Sequence, residues 1–86
     1  TRLAVVQTDC TLADLAGNRA MLLAKLHAAA DAGAELVVFP ECVTSGYGFA
    51  TRADALAAAE PVPGPSVAAV AKVCAARRVW CVFGLM

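Results

Sequence analysis

The sequence predicts an α/β fold in which three parallel strands alternate with helices in the order β-α-β-α-β. Short, continuous runs of apolar residues at 3–6, 36–39 and 79–85 are each typical of a strand that is buried on both faces of a sheet. The segments between the runs are long enough for helical crossovers, which join parallel strands with a right-handed connection. No repeat or low-complexity tract interrupts the pattern, so residues 1–86 are expected to form one unit.

The first crossover is predicted to be a helix from Asn18 to Asp31. Its apolar stripe recurs at helical spacing and consists of Leu22, Leu26, Ala29 and Ala30. Either Asp14 or Asn18 can cap the amino end, because a side-chain oxygen at that position accepts a hydrogen bond from a free backbone N–H. Gly33 is placed to end the helix in the left-handed conformation.

The second crossover is predicted to contain two helices separated by a rigid connector. Thr51 can cap a short helix that runs to about Ala59. The connector, residues 61–65, is rich in proline, which excludes both a helix and a central strand. Ser66 is predicted to cap a second helix that ends near Arg77, ahead of the third strand.

The composition is more apolar than that of an average soluble domain, with 60% hydrophobic and 16% charged residues. A chain of this length hides only about 60–65% of its unfolded surface when it folds alone, so this much apolar material is hard to bury. The last predicted strand, 79–85, also stops without a closing turn. Both observations predict that the chain is the N-terminal part of a larger domain.

Charge and cysteine spacing exclude several classes of function. Seven basic and seven acidic residues cancel, so nothing favours nucleic acid or an anionic membrane as a partner. No apolar stretch approaches the ~20 residues of a membrane span, and no secretory signal opens the chain, so a cytoplasmic location is expected. The four cysteines, at 10, 42, 74 and 81, lack the spacing of a zinc site and are interpreted as small buried hydrophobic residues.

Polar residues at strand ends are the best candidates for chemistry, because ligands of open parallel sheets bind beyond the carboxyl ends of the strands. Gln7, Thr8 and Asp9 follow the first strand, and Glu41 follows the second, directly after Pro40. A carboxylate in the position of Glu41 is expected at the rim of the sheet with little water around it, where it can act as a base. Position alone also allows a helix cap or a structural ion pair.

The segment Val37-Val38-Phe39-Pro40-Glu41 is followed after two residues by Thr44-Ser45-Gly46-Tyr47. This arrangement resembles the first catalytic segment of the nitrilase superfamily of carbon–nitrogen hydrolases, in which a strand delivers Pro-Glu and a Gly-Tyr often follows. Further similar residues are Gln7 at the first strand end, Asn18, Gly64-Pro65 and Val82-Phe83-Gly84. The resemblance covers nearly the whole chain in one register.

The resemblance implies hydrolysis of a non-peptide C–N bond in a small amide, carbamoyl compound or nitrile, without a metal or organic cofactor. The family uses a Glu-Lys-Cys set, in which Cys attacks the carbon, Glu transfers protons and Lys stabilises the tetrahedral anion. Glu41 is the general base by this resemblance. The Thr-Ser-Gly-Tyr sequence looks more like that of the amidase branches than that of strict nitrilases.

The resemblance also implies an architecture and a partner. The family fold is a four-layer α-β-β-α sandwich, to which this β-α-β-α-β portion would contribute part of one sheet and its covering helices. Family members commonly pair through a helical layer, so a homodimer or larger homo-oligomer is implied for the complete protein.

The chain departs from the family pattern because the family's Lys and Cys lie downstream of the third strand. Lys25 and Lys72 fall on predicted helices. Cys42 neighbours Glu41, but consecutive residues that leave a strand point to opposite sides, so these two are not expected to form a dyad. The 86-residue chain alone is therefore expected to be inactive.

Several other side chains have both a functional and a structural interpretation. Tyr47 can line the substrate pocket or cover the core as a loop aromatic. Ser45 does not lie in a GxSxG nucleophile elbow, because Val43 occupies the first glycine position. His27 is interpreted as a solvated helix residue and Trp80 as a packing residue of the third strand.

Two other hypotheses about function are open at this point. A small, complete, doubly wound binding or receiver-like domain would use Asp9 and Glu41 as an acidic cluster that responds to magnesium. A non-catalytic family member would be retained for protein–protein contacts and would lack the downstream Lys or Cys.

Overall fold

The computed structural model describes residues 1–86. Its elements follow one another as β1 (Leu3–Val5), α1 (Leu15–Asp31), β2 (Leu36–Val38), α2 (Arg52–Ala58), α3 (Pro65–Arg77) and β3 (Trp80–Val82). The strands form one sheet in the order β1-β2-β3, and both neighbouring pairs are parallel. The predicted α/β fold, with helices between parallel strands, is therefore confirmed.

The three strands are aligned so that their carboxyl ends meet at one edge of the sheet. Ala4, Val37 and Cys81 lie opposite one another at the centre of the ladders, and Val37 is completely buried. Pairing continues past the end of β2, where the N–H of Phe39 donates to the carbonyl of Val82 at 2.8 Å. The backbone is therefore still hydrogen-bonded to β3 two residues before Glu41.

Helices cover only one face of the sheet. Helices α1 and α3 contact each other and pack on the face that presents Val37. The buried core consists of Leu22, Leu26, Val37, Phe39, Val43, Val70 and Val79.

The opposite face of the sheet is apolar and exposed. Leu3, Val5, Trp80 and Val82 are exposed to 59%, 72%, 79% and 55% of their full area. These residues alternate with the buried ones because side chains along a strand point to opposite faces. The prediction that the strands are buried on both faces is therefore wrong for residues 1–86 by themselves, in which Trp80 is mostly exposed.

Helix α1 begins earlier than predicted, at Leu15, because Asp14 and not Asn18 is its cap. The Oδ1 of Asp14 accepts a hydrogen bond from the N–H of Gly17 at 3.1 Å. At the other end, Gly33 has a φ of +93°, which is the left-handed conformation predicted for the residue that ends the helix.

Helix α2 is capped as predicted, since the Thr51 hydroxyl accepts a hydrogen bond from the N–H of Asp54 at 3.1 Å. Helix α3 begins at Pro65, so the prediction that Ser66 is its cap is wrong. A proline at the first helical position has no N–H to satisfy. The next N–H, that of Ser66, is satisfied by the carboxylate of Glu60 at 2.8 Å.

Candidate active site

The segments that leave β2 and β3 run side by side at the carboxyl edge of the sheet. The β3 ladder ends at Val82, earlier than predicted, and the chain then bonds to the turn after β2. The N–H of Gly84 donates to the carbonyl of Pro40 at 3.4 Å, and the N–H of Val43 donates to the carbonyl of Gly84 at 3.3 Å. These two hydrogen bonds lie on either side of Glu41 and hold its backbone in place.

A buried asparagine ties the loop after β1 to the loop after β2. The Oδ1 of Asn18 accepts from the N–H of Thr11 at 2.8 Å, and its Nδ2 donates to the carbonyls of Thr11 and Thr44 at 2.7 and 3.0 Å. A backbone hydrogen bond of 2.9 Å from Ala13 to Ser45 joins the same two loops. The resemblance singled out Asn18, but its partners are residues that no local pattern identifies.

Glu41 lies in the turn directly after Pro40, at the carboxyl edge of β2 as predicted, and not on a helix. Its Oε2 accepts a hydrogen bond from the hydroxyl of Tyr47. This bond to the Glu41 carboxylate raises the pKa of Tyr47 to about 12. The expectation of little water around Glu41 is wrong for this chain, because the turn carries the side chain beyond the strand ends into an exposed position.

Tyr47 does not cover the core, since 61% of its surface is exposed. It lines a cavity of about 330 Å³ together with Glu41. Asp9 and Cys10, from the loop after β1, also line it. The loops after β1 and β2 thus line one open cavity, in which a carboxylate and a phenol are in contact.

Cys42 leaves β2 in a backbone conformation that the sequence does not predict. Its φ is +48°, so the alternation of side chains along an extended strand does not apply to it. The Cys42 thiol lies near enough to Tyr47 to contribute, after Glu41, to the raised pKa of the phenol. No hydrogen bond joins the Cys42 thiol to Glu41, and that these two residues do not form a dyad stays a prediction.

The other polar candidates lie away from this cavity. Lys25 and Lys72 are exposed on α1 and α3, as predicted, and no lysine lines the cavity. His27 is exposed on α1, 2.9 Å from the guanidinium of Arg77. Ser45 is fully buried, with its hydroxyl bonded to a backbone carbonyl. No three His, Cys, Asp or Glu side chains lie close enough together to hold a metal ion.

The arrangement can accept a proton from a group that enters the cavity, because Glu41 is fixed through its backbone and oriented by a phenol. All four thiols are free, and none donates a hydrogen bond to Glu41. These residues therefore provide a positioned base without a paired nucleophile.

Comparison with known proteins identifies the family. None of the three helices has both the length and the apolar character needed to cross a membrane. A search of curated protein sequences gave no significant match. The family model for carbon–nitrogen hydrolases matches residues 2–86, which includes the Pro40-Glu41 segment and nearly the entire chain. The chain therefore belongs to the carbon–nitrogen hydrolase family of the nitrilase superfamily.

Proposed function

We propose that the protein hydrolyses a non-peptide C–N bond of a small amide, carbamoyl compound or nitrile, with Glu41 as the general base. The observation that carries this proposal is the position of Glu41 at the carboxyl edge of the sheet, in contact with Tyr47 at the mouth of a cavity. The match to the carbon–nitrogen hydrolase family over residues 2–86 supports the reaction class. A lysine and a nucleophilic cysteine from outside these residues complete the site.

The proposed reaction uses Glu41 to move protons between the nucleophile, the leaving group and water. Glu41 accepts the thiol proton as sulfur attacks the carbonyl carbon, and the lysine ammonium stabilises the resulting oxyanion. Glu41 then returns the proton to the nitrogen as the C–N bond breaks and the amine or ammonia leaves. A water molecule attacks the thioester and gives its proton to Glu41, and the thiol is released when that proton returns to sulfur.

Tyr47 has two proposed roles in this site. Its hydrogen bond to Oε2 restrains the Glu41 carboxylate, while Oε1 has no partner in the protein and is free for proton transfer. Since most of the Tyr47 surface is exposed beside the cavity, the ring also provides a surface for substrate. The Thr44–Tyr47 sequence favours an amide over a nitrile as substrate.

The exposed sheet face supports the four-layer α-β-β-α sandwich as the architecture of the complete protein. Leu3, Val5, Trp80 and Val82 form an apolar surface on a sheet whose other face is already covered by helices. Surfaces of this kind mark sites of contact with another layer or partner. A second sheet from the remainder of the protein is the proposed cover, and the family resemblance further suggests a homodimer or larger homo-oligomer.

The proposal is tested by Glu41→Gln in the complete protein, with ammonia release measured for a series of amides, carbamoyl compounds and nitriles. Loss of a general base is expected to lower kcat by about 10²–10⁴-fold, with an unchanged circular dichroism spectrum. Glu35→Gln is the matched control, because it removes the same charge and keeps an acceptor for the N–H of Arg2, 3.0 Å away. The 86 residues alone are expected to release no ammonia.

Wild-type turnover by Glu41→Gln would show that Glu41 is not the base. A complete protein that hydrolyses none of these compounds would favour a non-catalytic family member instead. A receiver-like domain would respond to magnesium with a spectral change, whereas membership of the hydrolase family predicts none.

A further inference from the structure

Two thiols line one cavity at the β3 side of the sheet, on elements separate from the Glu41 site. Cys74 belongs to the last turn of α3, and Cys81 is the central residue of β3. Both thiols are free and partly exposed. The fold therefore brings the two cysteines to one site.

The connection between the two cysteines is short and fixed by backbone hydrogen bonds. The carbonyl of Cys74 accepts from the N–H of Arg78, which ends α3 in the left-handed conformation with a φ of +54°. The same carbonyl accepts from the N–H of Val79 at 3.2 Å. These two hydrogen bonds fix the short turn that connects Cys74 to the strand of Cys81.

The surroundings of the pair are apolar. Both thiols line a cavity of about 230 Å³ whose other walls include Val67, Val70, Trp80 and Phe83, with no charged side chain among them. Burial raises the pKa of Cys74, and burial together with the neighbouring thiol raises the pKa of Cys81 to about 12. At neutral pH the two groups are protonated thiols, so a ligand that needs buried thiolates is disfavoured.

A divalent metal ion does not fit this site. A tetrahedral zinc site needs three or four protein ligands, and no third His, Cys, Asp or Glu lies near the pair. The site fits a ligand that forms bonds to two sulfur atoms and is neutral when bound. An apolar group on this ligand would pack against the walls of the cavity.

We propose that Cys74 and Cys81 form a dithiol binding site for soft trivalent electrophiles with an apolar substituent, of the organoarsenical class. In the reaction, two As–O bonds and two S–H bonds of the reactants break, and two As–S bonds form. Each thiol proton leaves with a hydroxide from arsenic as water, and no electrons are transferred. The product is uncharged, and its apolar group lies against the cavity walls.

The probe for this site is phenylarsine oxide, which is a dihydroxyarsine in water. Intact-mass spectrometry is expected to show one adduct per chain that survives excess monothiol and is removed by a small dithiol. Because Trp80 lines the cavity and is the only tryptophan of these 86 residues, binding should also change its fluorescence. A second bond formed within the same site adds about 10²-fold or more to affinity, so Cys74→Ser and Cys81→Ser should each weaken binding by at least that factor.

Cys10→Ser and Cys42→Ser are the matched controls and should leave arsenical binding unchanged, because both residues lie at the other strand ends. Circular dichroism of Cys74→Ala and Cys81→Ala shows whether these variants are folded. Loss of arsenical binding by a folded variant is then due to the missing thiol. Adducts that map to Cys10 or Cys42, or undiminished binding by Cys74→Ser, would overturn the proposal. A Cys74–Cys81 disulfide as the sole product of treatment with the arsenical would also overturn the proposal. The site is independent of Glu41, so an inactive enzyme leaves this test unaffected.

Discussion

The backbone of Gly84 lies directly against that of Glu41, since a Cβ on Gly84 would stand 2.6 Å from the Cα of Glu41. It would also lie 3.0 Å from the backbone nitrogen of Cys42. The neighbouring atoms are backbone and cannot move aside as the end of a flexible side chain can. The exit of β3 therefore supports the turn that carries the candidate base, and it can do so only through glycine.

Gly84→Ala is expected to destabilise the fold by about 1–3 kcal/mol through overpacking and to displace the turn that carries Glu41. Urea unfolding measures the loss of stability. An ultraviolet absorbance titration of Tyr47 measures the displacement, because a weakened bond to Glu41 lowers the pKa of Tyr47 from about 12.

Gly48→Ala provides the comparison for Gly84→Ala. A Cβ on Gly48 meets nothing within 4 Å, but its φ of +78° would cost about 1–2 kcal/mol for a residue with a side chain. Both variants should therefore lose stability, and only Gly84→Ala should change the titration of Tyr47. An unaltered Tyr47 pKa in Gly84→Ala would show that the contact does not position Glu41.

Glu41→Gln is expected to lower the pKa of Tyr47 from about 12 towards 10.0, because the amide carries no charge to hold the phenol proton. Tyr47 is the only tyrosine of residues 1–86, and its titration in the complete protein is the difference between the tyrosinate absorbance of the wild type and that of Tyr47→Phe. Glu35→Gln should leave the titration unchanged. A wild-type phenol that titrates near 10.0 would contradict the hydrogen bond between Tyr47 and Glu41.

The same hydrogen bond predicts how stability depends on alkaline pH. The folded pKa of Tyr47 lies above its unfolded value, so the neutral phenol stabilises the fold fully below about pH 10. This contribution is lost as the pH rises through about 12. Urea unfolding between about pH 10 and pH 12 should show that Tyr47→Phe loses less stability than the wild type as the pH rises. Equal losses in the two proteins would show that ionisation of Tyr47 is not coupled to folding.

Asn18→Ala is expected to destabilise the protein by about 1–3 kcal/mol, because it leaves buried backbone groups of the two loops without their partners. Asn18→Asp should cost more, since its carboxylate keeps the acceptor for Thr11 but places negative oxygen against two carbonyls. Chemical denaturation gives both values. If Asn18→Asp destabilises the protein less than Asn18→Ala does, the hydrogen bonds that the Asn18 Nδ2 donates contribute little to stability.

The buried carboxylate of Glu60 is expected to couple to Ser66 in a double-mutant cycle. It accepts both the N–H and the hydroxyl of Ser66 at 2.8 Å, and the Nε of Arg19 donates to the same hydroxyl at 3.0 Å. Glu60→Gln and Ser66→Ala should therefore show a coupling energy of about 0.5–3 kcal/mol in unfolding experiments. Additive losses would mean that the start of α3 does not depend on this network.

Sequence patterns predicted features that depend on neighbouring residues. Thr51 caps α2, and Gly33 ends α1, because capping depends on the conformation and side chain of a few adjacent positions. The prediction that Ser66 caps α3 is wrong, because a helix can begin with Pro65 when a distant acceptor such as Glu60 satisfies the next N–H. The exposed face that includes Trp80 escaped prediction because a run of apolar residues does not reveal whether a covering layer is present.

Local patterns along the chain were sufficient to predict the parallel α/β order and the place of Glu41 after the second strand, because hydrophobic periodicity and proline act on neighbouring residues. The contact of Tyr47 with Glu41, the support of the Glu41 backbone by Gly84 and the shared cavity of Cys74 and Cys81 are visible only in the folded chain. These contacts depend on the paths of turns and on left-handed residues such as Cys42, which bring together side chains that no spacing in the sequence relates.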